Sequence, residues 1–429
     1  MKIIAAGDAI IGRRIQADFP GYDELKPYIE SADASFFNLE TTLNEEGECP
    51  SAQLSGGTYL RVTPRVLSDL AEFGFNMTTF NNNHAFDYSV EGFLSTLEAL
   101  EDSDFVCAGA GRSLGEASKP RYLETNSGRV ALISVNTNFS PDMLAGEQTP
   151  RVPGRAGING IRINKYVRVT DTEMQFVREL AKRTGINVSQ NIIIKEGYGT
   201  PTPENEEKLG DLRFVLGDTC EYVMECERED VERLKKAIYE AKLGADYIMV
   251  SIHSHQLSGD KKEFPSKFLV DLAHECIDAG AHAIIGHGPH LLRPIEVYKD
   301  CPIFYSLGDF ILQLYNIEFA PAEFFRKYGM HPDDTVHDLL KTRSHNFTVG
   351  LMEDPRMNLT VLPIWECEAG KLKHLRLIPV ELAMHGNKSE IGLPRIGGAE
   401  KIVEYLGEMS RPYGITLKIA EDGLIDVAW

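Results

Sequence analysis

Five apolar runs in this chain each end in a carboxylate, an amide or an imidazole, and that coincidence constrains the fold more than any other feature of the sequence. The endings are Gly7-Asp8 after residues 2–6, Glu40 after 34–39, and Asn81-Asn82-Asn83-His84 after 75–80. Two more follow in the second half: His253-Ser254-His255 after 247–252, and Gly286-His287-Gly288-Pro289-His290 after 282–285. Runs of this length, bounded by glycine or polar clusters and rich in β-branched and aromatic residues, read as buried strands. Helical patterns lie between them, which predicts an α/β chain with sheets packed between helices and strand-end loops gathered on one rim.

Ser89 is expected to cap a helix that carries Phe93, Leu94, Leu97 and Leu100 on one face. Residues 121–125 and 129–135 flank Asn126-Ser127-Gly128 and read as a hairpin. From 138 to 228 the pattern gives way to proline, glycine, asparagine and charge, with one helix near 171–182; this reads as an insertion, a lid or specificity element. Alternation resumes with a helix over 230–243, a helix over 265–279 started by Pro265, and a hairpin-like pair over 295–298 and 303–307. Residues 316–345 form a second expected insertion. Strands over 348–352, 359–366 and 374–382, a helix over 399–409 and a last pair of short strands complete the chain. The expected division is therefore a core of 1–137 and 229–315, an inserted segment of 138–228, and 316–429 as the second insertion with a C-terminal β-rich extension completing the core.

Lys+Arg 44 against Asp+Glu 64 gives a net charge of −20. Such a surface repels nucleic-acid phosphates and anionic lipid, so neither is expected as a partner. A small anionic substrate is compatible with it, because a buried metal reverses the local sign. Seven cysteines, odd in number and irregularly spaced, contain no pair with the two-residue gap of a zinc knuckle or redox motif, and a reduced, cytoplasmic setting is expected. The opening residues read as a core strand rather than a signal peptide, and no apolar run approaches a membrane span. The sequence gives no indication of oligomeric state.

Strand ends on a rigid sheet hold side chains at fixed separations, as a metal site requires. Mixed carboxylate, amide and imidazole ligands suit Mn, Fe or Zn, one ion or two, better than Ca or Mg. Taken singly, His253 reads better as a satisfied core histidine, Asp8 equally as a cap or turn residue, and the glycines of 286–290 as no more than a tight turn. Five coincident endings favour a site with Asp8, Glu40, Asn83, His253, His287 and His290 as candidate ligands. Gly109-Ala110-Gly111-Arg112 lacks a Walker lysine, Ser306-Leu307-Gly308-Asp309 lacks the nucleophile-elbow frame, and no cysteine has a compelling histidine neighbour. Arg13, close in sequence to Asp8, is a candidate for binding a substrate carboxylate or phosphate through its fork of donors. His274, His282, His331, His337, His345, His374 and His385 have no strand-end setting and read as surface or packing residues.

Gly7-Asp8-Ala9-Ile10-Ile11-Gly12-Arg13, Asn38-Leu39-Glu40, Asn82-Asn83-His84 with Asp87, Gly286-His287-Gly288-Pro289-His290 and Tyr305-Ser306-Leu307-Gly308-Asp309-Phe310 together resemble the CapA family. This is the poly-γ-glutamate capsule-biosynthesis type, a branch of the calcineurin-like metallophosphoesterase superfamily, and the likeness covers about 1–137 and 229–315. It implies a four-layer α/β/β/α metallophosphoesterase-like sandwich with a dinuclear centre. It also implies that Asp8 binds one metal, that Glu40 stands where a bridging aspartate usually lies with Asn38 as the fallback, and that Asn83, His253, His287 and His290 are ligands. His84 takes the place of the catalytic histidine, with Asp87 orienting it. Three departures stand out. Ile10 occupies the position of a second first-strand histidine, the final histidines are separated by two residues, and His255 adds an imidazole as a further ligand or substrate contact. The expected activity is hydrolysis of a phosphoester or amide bond, γ-glutamyl amides included, in a small-molecule or short peptide-like anionic substrate. The alternatives are a non-catalytic binding or assembly component of acidic polymer metabolism, or a metalloenzyme that forms or rearranges an amide in a small metabolite.

Overall fold

In a computed structural model that describes residues 1–16, 19–351, 353–384, 387 and 389–429, the strand Lys2–Ile10 turns alternate side chains toward two different cores. Ile4 and Ala6 join Leu25, Ile29, Leu70, Phe93 and Leu97, which come from the helices Pro20–Glu30, Val66–Glu72 and Ser89–Glu101. Ile3 and Ala5 join Val130, Leu132, Met249 and Ile285, which belong to a second sheet. Period-two alternation thus makes one strand the shared wall of a helix–sheet core and a sheet–sheet core. On the far face of the second sheet, the helix Lys267–Ala279 buries Phe268, Leu269, Leu272 and Ala273 beside Ala283–His287. The layers therefore run α/β/β/α, as expected.

The first sheet has the order Thr416–Ile419, Ile425–Ala428, Lys371–Leu382, Leu359–Glu368, Lys2–Ile10, Ala34–Leu39, Met77–Thr79, Val106–Ala108, and its last four strands are parallel. The second runs Ile295–Tyr298, Cys301–Phe304, Ala283–His287, Tyr247–His253, Gly128–Asn136, Arg121–Thr125, with the middle four parallel. One edge of Lys2–Ile10 is shared: Leu359–Glu368 pairs with Lys2 to Ile4, and Asp309–Leu312 pairs with Asp8 to Ile10. The changeover falls at Gly7, where a Cβ would lie 1.8 Å from the Gly308 carbonyl oxygen, so the close backbone approach admits only glycine. Asp8 N donates to that same carbonyl at 3.0 Å, which seats Gly7-Asp8 against Gly308-Asp309.

Several expectations need correction. The first strand does not stop at residue 6 but continues to Ile10, because its second half gains Asp309–Leu312 as a partner. Ser89 is the first residue of its helix at φ +60°, follows Tyr88 at the cap position, and donates its hydroxyl to Pro50 O instead of capping. Pro265 ends the strand Lys261–Pro265, and the helix after it starts at Lys267. Residues 348–351 are turns and bends rather than strand, following left-handed backbone at His345, Asn346 and Phe347; Met352 and His385 lie outside the described residues.

The chain divides into two compact units, Met1–Gly160 with Glu232–Trp429, and Ile161–Val231. Residues 138–160 thus belong to the larger unit, and the inserted unit begins later than the compositional shift suggests. It holds a sheet in the order Glu206–Leu209, Leu212–Leu216, Ile163–Val169, Glu221–Cys226, with the helices Asp171–Thr184 and Val188–Lys195. Residues 316–429 are also part of the larger unit, where Phe324, Phe325 and Leu339 pack on Tyr59 and Tyr88. Among the described residues no helix is long and apolar enough to cross a membrane.

Candidate metal centre

Two rows of polar side chains meet at the rim where the parallel strands end. On the first sheet Asp8 is in register with Asn38 on one side and Asp309 on the other. On the second sheet His253 is in register with His287 and Asn136. In-register neighbours on adjacent strands share a face, so each row presents its side chains together. The rows are joined by Gly288 N, which donates to Asp8 Oδ2 at 2.8 Å, and His287 Nδ1 lies 3.4 Å from Asp8 Oδ1. Gly288 makes this approach at φ +118°, a backbone conformation suited to glycine.

The remaining groups fill the space between the rows. Asn38 Nδ2 donates to Asp8 Oδ1 at 2.6 Å and reaches Glu40 Oε2 at 3.4 Å, which spaces the two carboxylates. Glu40 Oε1 is 3.9 Å from both His84 Nε2 and His253 Nε2. Asn83 Oδ1 sits 2.6 Å from His253 Nε2 and 3.1 Å from His255 Nε2, and these two nitrogens are themselves 3.1 Å apart. His253 Nδ1 faces His287 Nδ1 at 2.9 Å, while the far nitrogen of His287 meets Ser251 Oγ at 2.6 Å. His290, at φ +60°, places Nδ1 2.9 Å from Asp309 Oδ1.

Burial dominates the electrostatics. Asp8, Glu40, Asp309, His253 and His287 are all fully buried. Burial, aided by the Asp309 charge, pushes Asp8 up to about 6, and burial with Asp8 and Asp309 pushes Glu40 well above the carboxylate range. Burial drives His253 and His255 well below the usual imidazole range, with neighbouring imidazoles adding to it, and takes His287 down to about 3. His290 differs: burial pushes it down, but Asp309 and Asp8 outweigh that and raise it. Glu40 Oε1 and Asp309 Oδ2 are buried acceptors without a hydrogen-bond partner among the described residues. Such orphans are costly, and a cation satisfies several of them at once. Three groups have ligand atoms within 4.8 Å of one another: Asp8, His253, His287; Glu40, His253, His255; and Asp8, His290, Asp309. The donor set of imidazole nitrogen and carboxylate oxygen fits a divalent transition ion.

The structure thus brings together Asp8, Glu40, Asn83, His84, His253, His255, His287 and His290. Asp87 joins them through His84, accepting from or sharing a proton with Nδ1 at 2.6 Å, and is itself held by Gly56 N and Leu60 N. Arg13 is seated differently: its backbone N donates to Gln313 Oε1 at 3.3 Å, and its buried Nε has no partner among the described residues. Asp309 and Ser251 join the cluster without being strand-end residues of an apolar run. Asp309 opens a strand rather than ending one, although Gly308-Asp309 repeats the Gly7-Asp8 dipeptide and carried the signal.

Comparison with known proteins covers the stretch of chain that carries this rim. The family described as "Bacterial capsule synthesis protein PGA_cap" matches residues 2–314. The protein y4sH of Sinorhizobium fredii is 30% identical over 98% of this chain and 91% of its own length. "Capsule biosynthesis protein CapA" of Bacillus anthracis is 22% identical over 72% of this chain, which spans 59% of that relative. A hypothetical protein from Thermus thermophilus superposes with a TM-score of 0.41 at 12% identity, over 89% of this chain and 99% of that one.

Proposed function

The chain belongs to the bacterial capsule synthesis family PGA_cap, and from that premise we propose that it is a metal-dependent hydrolase acting on a phosphoester or amide bond, γ-glutamyl amides included, of a small or short peptide-like anionic substrate. The observation that carries this reading is the convergence on one rim of buried carboxylates from the first sheet, two of whose oxygens are unsatisfied, with buried imidazoles from the second. Asp8, Glu40, Asn83, His253, His255, His287, His290 and Asp309 would hold one or two ions of Mn, Fe or Zn. Such an ion supplies Lewis acidity toward a substrate oxygen and makes water a better nucleophile at neutral pH.

The chain's own residues do the rest. Asp87, fixed by two main-chain N–H groups, accepts a proton bond from His84 Nδ1, which leaves Nε2 facing the carboxylate side of the cluster. A histidine so oriented protonates a leaving group or stabilises developing charge. Elemental analysis of the purified protein, followed by chelation and metal return against a panel of phosphoesters and γ-glutamyl amides, tests the reading. Activity should vanish with chelation and return with stoichiometric metal. Hydrolysis indifferent to chelation, or a protein that takes up none of the three metals, sinks it.

A non-catalytic binding or assembly component of acidic polymer metabolism is the second reading, favoured by the capsule-biosynthesis name of the B. anthracis relative. His84→Ala separates the two: polymer or partner binding survives it under the second reading, whereas turnover is lost under the first.

A further inference from the structure

Arg293 is fully buried, yet no carboxylate pairs with it among the described residues. Its guanidinium spends its donors on main-chain carbonyls: Nε on Lys262 O at 3.1 Å, one Nη on Ser254 O at 3.3 Å, and the other on Gln256 O at 2.9 Å and His255 O at 3.5 Å. Three of these acceptors are the consecutive residues that follow the ligand strand Tyr247–His253, and the fourth lies in Lys261–Pro265. Burying a cation with no carboxylate in direct contact is expensive, and the more distant Glu263 charge offsets only part of it. Four carbonyl dipoles offset that cost only while the loop stays where it is. On the loop's other side, Thr137 Oγ1 donates to Gln256 Oε1 and Gln256 Nε2 donates to Thr137 O, each at 2.8 Å. The loop is gripped twice, and the imidazole of His255 is what the grip presents.

We propose that Arg293 is a positioning residue: it fixes the main chain of residues 254–256 so that His255 stands within reach of Asn83 and His253, and without it the group of Glu40, His253 and His255 opens. The consequence for metal capture rests on the metal-centre reading above; the positioning of the ring does not. Lysine cannot replace it, because a point-like ammonium lacks the planar fork that spans several carbonyls.

The test uses the full chain with Arg293→Lys, Arg293→Gln, His255→Ala and the combination of Arg293→Gln with His255→Ala. In metal-free protein, ¹⁵N-edited spectra should show the His255 ring resonances moving from a dispersed position to that of a solvent-exposed imidazole in both Arg293 variants. Cobalt(II) titration, read by visible absorption, should show affinity lower by about 10–100-fold, the range that loss of an outer-shell partner costs. On the His255→Ala background, Arg293→Gln should add about twofold or less, since both changes remove one and the same interaction. An unmoved His255 ring in a folded Arg293 variant overturns the proposal, as does full additivity in the combination. If the parent protein takes up neither cobalt nor any of Mn, Fe and Zn, the metal-centre reading falls and the ring spectra alone decide the positioning role. Should neither Arg293 variant fold, His255→Ala decides: the Arg293 Nε–H must stay protected from solvent exchange, because its acceptors are main-chain carbonyls. Lost protection would mean that the ring holds the loop, which overturns the proposal.

Discussion

The two sheets contribute opposite chemistry to one rim. The first supplies acids, with Asp8 in register between Asn38 and Asp309 and Glu40 following the next strand; the second supplies imidazoles, with His253 in register beside His287. Burial acts on both rows, yet in opposite senses: it raises Asp8 and Glu40 and lowers His253 and His287. Each row is thereby driven toward its uncharged form, which is the poorer ligand for an acid and the better ligand for an imidazole. A cation between the rows stabilises the ionised acids without requiring anything of the neutral imidazoles, so the asymmetry prepares one site from two unlike halves.

The strongest way to break this pairing is to remove the residues common to more than one group. Asp8 belongs to two of the three ligand groups, and so does His253, whereas His255 and His290 each belong to one. Asp8→Ala and His253→Ala should therefore lower manganese affinity by more than ~100-fold, beyond what an outer-shell loss costs, and His255→Ala and His290→Ala by less. Isothermal titration of the four variants checks the ranking, and equal losses across them would dissolve the distinction between shared and single ligands.

His84 touches the acidic row through Glu40 but is held by Asp87, outside both rows. If it acts on the leaving group rather than on the metal, His84→Ala should cut kcat by about 10²–10⁴-fold while metal content stays at the parent level. A variant that loses metal in proportion to activity would move His84 into the ligand set.

How far these features could be read in advance follows the same division. Apolar runs that end in Asp, Asn, Glu or His announced Asp8, Glu40, Asn83, His253 and His287, because burial pattern and ligand chemistry coincide where an apolar run gives way to polar residues, within the strand at Asp8 and at or soon after the strand's end for the others. Asp309 escaped that logic: it opens Asp309–Leu312, and its place depends on pairing with a strand three hundred residues away in sequence. Such pairing is tertiary and leaves little local trace. The inserted unit was legible only as its helix Asp171–Thr184, which carries a Thr170–Glu173 capping box. Its strand Glu206–Leu209 is charged at three of its four positions and lacks the apolar alternation that would have marked it, while Leu212–Leu216 is apolar but short, set in a charged segment, and has no buried residue. Residues 348–351 misled in the other direction, since β-branched residues near Gly350 imitate a strand where the preceding left-handed residues turn the chain.

The opposed titrations make a smaller, sharper prediction. Asp8 titrates near 6 in the folded chain against an ordinary 3.8, so the stability it contributes is complete below 3.8 and is lost as pH rises through about 6. His287 titrates near 3 against 6.5, so its neutral form is without cost above 6.5 and stability falls as pH drops toward 3. Between 3.8 and 6 the two slopes oppose each other; above 6.5 only the acid's cost remains. Manganese should therefore raise the Tm more at about pH 8 than at about pH 5, where ligands must also shed protons to bind. Scanning calorimetry with and without the ion decides it, and a larger gain at the lower pH would mean the acids are not the destabilised row.

The smallest effect separates the supports of the two rows. Asn38 donates to Asp8 and approaches Glu40, while Ser251 meets the far nitrogen of His287 at 2.6 Å. At a pH near 8 the first support bonds an ionised carboxylate and the second a neutral ring. Hydrogen bonds to charged groups contribute about 1.5–3 kcal/mol against about 0.5–1.5 kcal/mol for neutral pairs. Asn38→Ala should then destabilise the metal-free protein by more than Ser251→Ala, whose cost should stay near 1 kcal/mol. At a pH near 5, below the Asp8 value of about 6, the gap should narrow because Asp8 regains its proton. Denaturant unfolding of both variants at the two pH values measures it. A gap that persists unchanged at low pH would show that Asn38 serves packing rather than charge, and the electrostatic contrast between the rows would then rest on the ligands alone.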